Sequence, residues 1–78
     1  MTGKLLASDV NWIVPRPQRT IKALVKIRHQ HAGAEAEIKA LDGQRAEVVF
    51  KNPQRAVTPG QSVVFYKRDL VLGGGVIE

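Results

Sequence analysis

The chain contains no cysteine. That absence excludes a disulfide framework, a thiolate zinc site and any cysteine-nucleophile or persulfide chemistry within these residues. Aromatic residues are scarce: one Trp, one Tyr and two Phe among 78 residues. No apolar run approaches the ~20 residues of a membrane-spanning helix, and the stretch from Met1 to Ser8 is too short in apolar length for a signal peptide. No GxGxxG or GxxxxGK[ST] spacing occurs, and Gly73-Gly74-Gly75 is followed by no helix that would offer its N-terminus to a phosphate. There is no Ser/His/Asp arrangement and no carboxylate pair with a shared setting. His29 and His31 sit two apart with no third ligand at metal spacing. Catalytic and metal sites are therefore both expected to be absent from this stretch.

Acidic residues are also in short supply, seven against twelve Lys/Arg, for a net charge of +5 and a pI near 10.1. The imbalance is uneven. Residues 1–28 carry six bases against Asp9 alone, residues 29–50 carry two against four acids, and residues 51–78 carry four against two. Clustered base of this kind is the electrostatic footprint of a polyanion partner. With 44% apolar and 24% charged residues the chain is globular, and its length makes one domain near the size where folding alone is marginal.

Alternation supplies the secondary structure. From Thr20 to His29, Ile21, Ala23, Val25 and Ile27 take one face and Lys22, Leu24, Lys26 and Arg28 the other, a period of two. Ala34 to Leu41 repeats the pattern. Its Ala, Glu and Lys content favours helix locally, but strict parity and the Asp42-Gly43 turn signal favour a strand. Pairing Ile27 with Ala36 and Val25 with Ile38 sets Arg28 opposite Glu35 and Lys26 opposite Glu37, each pair contributing about 0.2–1 kcal/mol. Beyond Asp42-Gly43, parity requires a three-residue loop or a bulge, giving Ala40–Ala46, Lys39–Glu47 and Ile38–Val48.

The remaining segments follow the same logic. Residues 4–8 form a short strand, and Ser8-Asp9-Val10-Asn11 reads as a turn or Asx-type cap. Trp12 reads as a plug at one end of the core, its Ile13-Val14 neighbours marking burial; a base-stacking platform is the other reading. Pro15-Arg16-Pro17 is a linker, since proline continues neither a helix nor a central strand. Thr58-Pro59-Gly60 is a type II turn, with Pro setting φ and Gly taking the positive φ that follows. Ser62–Tyr66 is β-branched and aromatic, and Lys67-Arg68-Asp69 is a tight connection to Leu70–Ile77, whose glycines allow close approach of another backbone. About six short strands with no helix predict an all-β fold: a small, closed or nearly closed antiparallel barrel over residues 1–78.

Four motifs, "LLASDVNWI" at Leu5–Ile13, "KIR" at Lys26–Arg28, "PQRAVTPGQSVVFY" at Pro53–Tyr66 and "VLGGGVI" at Val71–Ile77, resemble in order the C-terminal β-barrel of the bacterial tRNA-specific 2-thiouridylases. Where that family often reads Lys-Ile-Arg-Tyr-Arg, this chain has His29-Gln30, so no stacking or basic role carries over to those two positions. The resemblance implies a barrel similar to the second domain of translation elongation factors. It also implies an excised C-terminal domain of a larger cytoplasmic enzyme that thiolates the wobble uridine of tRNA. ATP and a sulfur-relay protein are implied for that full-length enzyme, and no cofactor for this domain. The implied role is to seat tRNA against the catalytic domain; the alternative is a structural docking or protein-interaction barrel that touches no RNA. The expected RNA contacts are the bases that the predicted hairpin leaves unneutralised: Arg16, Arg19, Lys22 (opposite Leu41 in the predicted register), Arg55, Lys67 and Arg68.

Overall fold

In a computed structural model, which describes residues 2–27, 32–55 and 57–78, the alternating segments form six strands and no helix. They are β1 (Thr2–Trp12), β2 (Ile21–Ile27), β3 (Ala34–Leu41), β4 (Arg45–Gln54), β5 (Ser62–Lys67) and β6 (Leu70–Ile77). All neighbours are antiparallel and the sheet closes in the order β1-β4-β3-β2-β5-β6. Closure removes the free edges that would otherwise template aggregation in so small a sheet. The inward parity of each strand meets at the centre, where Val25, Ile27, Ile38, Val48, Val63 and Phe65 are fully buried. The single tryptophan lies tilted on Phe65, ring centroids 5.6 Å apart, and packs against this core from one end.

Both the Asp42-Gly43 and the Pro59-Gly60 turns form as expected. Leu41 pairs with Arg45 across a three-residue Asp42-Gly43-Gln44 loop, and the pairs Ala40–Ala46, Lys39–Glu47 and Ile38–Val48 follow in the register that parity demanded. Gly43 and Gln44 take φ of 72° and 56°. At the second turn Gly60 has φ 90° and the Gln61 N–H donates to the Thr58 carbonyl at 3.3 Å. The three glycines of β6 face Phe65, Val64 and Val63 in turn. A Cβ on Gly73 would lie 2.5 Å from the Asn11 carbonyl oxygen, and one on Gly75 2.6 Å from that of Ser8. The glycine run is thus the seam along which β1 and β6 close the barrel.

Three expectations fail. Ser8–Asn11 is no turn: β1 runs through it with a register shift between Ser8 and Asn11, Asp9 at φ 49°, and the Val10 N–H donating to Gln44 at 2.8 Å. The bulge bends β1 where it passes from β4 to β6; Ala7 pairs with Ala46 on one side and Ile77 on the other. Ile13 is 68% exposed rather than buried, although Val14 does pack on the core.

The third failure is the β2–β3 register, which pairs Ile21 with Ile38, Lys22 with Glu37, Ala23 with Ala36 and Leu24 with Glu35. Val25 therefore faces Ala34 rather than Ile38, a slip of four residues. Lys26 lies beside Val64 of β5 rather than Glu37, and Lys22 faces Glu37 rather than Leu41. The predicted Arg28–Glu35 pair and the His29/His31 pair involve positions outside the described residues. A slip by an even number keeps every residue on its own face, so alternation alone cannot detect it. In the observed register Gly33 packs closely: a Cβ there would lie 2.6 Å from the Tyr66 hydroxyl and 3.1 Å from Leu24 Cβ, so a larger residue would have to displace the Tyr66 side chain.

Candidate nucleic-acid interface

The observed register assembles a face that the predicted one did not. On the outside of the barrel, Lys22, Glu37 and Val49 stand in one row across β2, β3 and β4. Leu24 and Glu35 begin the next row, which Lys51 completes by pairing with Glu35 at 3.3 Å. The β5–β6 hairpin brings Lys67 and Arg68 to the same place, with Arg68 held at φ 56° in the two-residue turn. These side chains surround a concavity of about 550 Å³ whose lining also includes Ala23, Ala36 and Phe50. Four cations thus meet two carboxylates in one depression, and one of the four, Lys51, is already paired. Lys22, Lys67 and Arg68 make no ion pair among the described residues.

The other three predicted contacts lie elsewhere. Because neighbouring strands are antiparallel throughout, the connections 13–20, 42–44 and 68–69 leave one rim of the barrel, and 55–61 leaves the opposite rim. Arg16 and Arg19 therefore share a rim with Arg68, whereas Arg55 does not. Arg16 is also occupied: it donates to the Leu41 carbonyl at 3.0 Å and stands 3.7 Å from the Asp42 carboxylate. Arg16 was expected to have no acid nearby, and the folding of the β3–β4 hairpin against the 13–20 linker supplies one. Sequence reasoning missed Lys51 and the two glutamates as members of the concave face, and discounted Lys26, which has no ion pair among the described residues. The correct β2–β3 register was the signal that would have found them.

A second charged cluster closes the chain on itself. Arg45 donates two hydrogen bonds to the Glu78 carboxylate, at 2.6 and 2.9 Å, while the Glu78 N–H donates to the Leu6 carbonyl at 2.9 Å. The Arg45 hydrogen bonds hold the Glu78 carboxyl below the usual carboxylate range, and Arg45 is raised in return by the same contact. A carboxyl lowered on folding contributes stability that is present above its unfolded pKa and lost as pH falls through its folded one. An NMR titration of the Glu78 carboxyl carbon should therefore give a midpoint below that of Arg45→Ala. Equal midpoints would mean that the clamp does not form.

Comparison with known proteins adds to this geometry. Residues 2–77 match the family described as the aminomethyltransferase beta-barrel domain. The chain is 54% identical over 82 residues to the tRNA-specific 2-thiouridylase of Solibacter usitatus, covering all of this chain and 22% of that protein. It is 46% identical over 74 residues to the tRNA-specific 2-thiouridylase of Geobacter metallireducens, covering 95% of this chain and 20% of the relative. The Escherichia coli protein of the same description is 43% identical over 79 residues, again with 22% of its length covered. The chain thus spans about a fifth of the length of the curated relatives it matches.

Proposed function

Because this chain belongs to the aminomethyltransferase beta-barrel domain family, we propose that it serves as the C-terminal barrel of a tRNA-specific 2-thiouridylase and seats tRNA against the catalytic part of that enzyme. On this reading the chemistry, with its ATP and its sulfur donor, belongs to the remainder of a cytoplasmic enzyme. The barrel supplies phosphate contacts. One observation carries the proposal: Lys22, Lys67 and Arg68, from two distant segments of the chain, converge on one concave face without an ion-pair partner among the described residues. Free cations grouped in this way neutralise phosphates and release counterions, so binding weakens linearly in log–log form as salt rises.

The test is a tRNA titration at several salt concentrations with the wild-type chain and with the triple variant Lys22→Ala, Lys67→Ala, Arg68→Ala. Each lost phosphate contact should flatten the slope by about 0.7–0.9, so a loss of about two units is expected for the triple variant. Arg55→Ala, on the other rim, should leave the slope of the wild-type chain in place. An unchanged slope in the triple variant, with the fold intact, would sink the tRNA reading.

A second reading, a docking barrel without RNA contact, has its own support. Ile13, Leu70 and Val71 are 68%, 58% and 41% exposed. Val71 pairs with Tyr66, and the Ile13 N–H donates to Leu72, so the three occupy neighbouring stretches of one flank. Such a flank suits contact with another protein surface. An unchanged slope in the triple variant would turn attention to it.

A further inference from the structure

The concave face has a second property that phosphate seating does not use. It holds a carboxylate that makes no ion pair among the described residues. Lys67 and Arg68 stand on the β5–β6 hairpin, and Glu37 stands two strands away on β3, across β2, at a spacing of about 10 Å between strand axes. Glu35 is taken by Lys51 at 3.3 Å, whereas Glu37 makes no ion pair among the described residues despite having Lys22 opposite. Between the poles, on β2, stand Leu24 and Lys22, and Val49 on β4 flanks Glu37 from the other side. The volume of about 550 Å³ falls within the ~300–1,000 Å³ of small-ligand sites. A purely electrostatic phosphate track would have no use for an unpaired carboxylate at its far wall, since that group repels the same backbone.

We propose that this concavity accepts one nucleotide of RNA with an amino-bearing base, its phosphate on Lys67 and Arg68 and its exocyclic amino group donating to Glu37. The inference rests on the tRNA-seating reading and sharpens it from a phosphate surface to a nucleotide site. A carboxylate accepts from the amino group of cytosine, as it does in groove readout, and has only repulsion to offer the O4 carbonyl of uracil. The Leu24 side chain covers the ring face without hydrogen-bond demands. Selectivity therefore follows from Glu37 and affinity from the hairpin cations.

Amide shift mapping of the 78-residue chain with CMP, UMP and inorganic phosphate at constant ionic strength tests this. CMP should bind about fivefold or more tighter than UMP, the low end of one good base-edge contact, and should shift the amides of Ala23, Ala36 and Arg68. Glu37→Gln, a substitution on an exposed position of β3, should bring CMP and UMP to equal affinity. Arg68→Ala should weaken CMP, UMP and phosphate alike. Equal binding of CMP and UMP by the wild-type chain, or a preference that survives Glu37→Gln, would overturn the nucleotide site. So would an absence of shifts with all three ligands. None of those outcomes touches the tRNA salt slope, which judges the seating proposal separately.

Discussion

Gly73→Val is expected to unfold the chain, or to leave it with little of its stability. The added Cβ would stand 2.5 Å from the Asn11 carbonyl oxygen and 3.1 Å from Trp12 Cα. Both are backbone or near-backbone atoms of β1, so no side-chain rotation relieves the overlap. The β1–β6 seam would have to open between Asn11–Gly74 and Trp12–Gly73. Overpacking in a yielding core costs about 1–3 kcal/mol, and an unyielding backbone contact lies at or beyond the top of that range. A 78-residue domain holds only about 4–12 kcal/mol at ~0.05–0.15 kcal/mol per residue. Gly3→Val is the control, because a Cβ there meets nothing within 4 Å. It should change stability by no more than about 0.5 kcal/mol. Urea unfolding followed by tryptophan fluorescence compares the two; a wild-type midpoint for Gly73→Val would disprove the tight seam.

Phe65→Ala should be nearly as damaging. Phe65 is fully buried, pairs with Val25 on β2 and Gly73 on β6, and carries the tilted Trp12 ring at 5.6 Å. Removing it leaves a cavity between β2, β5 and β6 that no neighbour is long enough to fill: the residue opposite on β6 is glycine. Phe→Ala in a core costs about 3–5 kcal/mol, and at about 4–8 °C per kcal/mol for a domain of this size the melting temperature should fall by roughly 12–40 °C. Circular dichroism melts would show it. Phe65→Leu keeps most of the volume and should fall by much less. A drop of only a few degrees in Phe65→Ala would mean that Trp12 swings in to fill the space. The near-ultraviolet signal of the indole would then report it.

Much of this architecture was legible because the physics of a strand is local. Alternation at Ile21–Ile27 and Ala34–Leu41 dictated which residues go in, and the buried Val25, Ile27 and Ile38 follow it. The extra residue in the Asp42-Gly43-Gln44 loop was deducible from parity, and the Thr58–Gln61 turn from the requirements of Pro and Gly. Even the closure seam was foreshadowed by three successive glycines in a strand, which exclude side chains where another backbone must approach.

The composition of the concave face was not legible, and the reason is specific. Two β2–β3 registers four residues apart keep the same faces inward and both oppose a lysine to Glu37: Lys26 in the predicted pairing, Lys22 in the observed one. Local charge and hydropathy do not separate them. The choice is made by β5, which pairs with Leu24–Ile27 and sets Tyr66 over Gly33, contacts between segments more than thirty residues apart in sequence. In the same way Arg16 is committed to Asp42 only because the linker folds over the β3–β4 hairpin. The sequence by itself determined the strands from Ile21 onward, their inward faces, the turns at 42–44 and 58–61 and the excess of positive charge, since each depends on residues within a few positions of one another. Only the tertiary structure decided which cations are free and which face they share, because that depends on the stagger at which six strands close into one barrel.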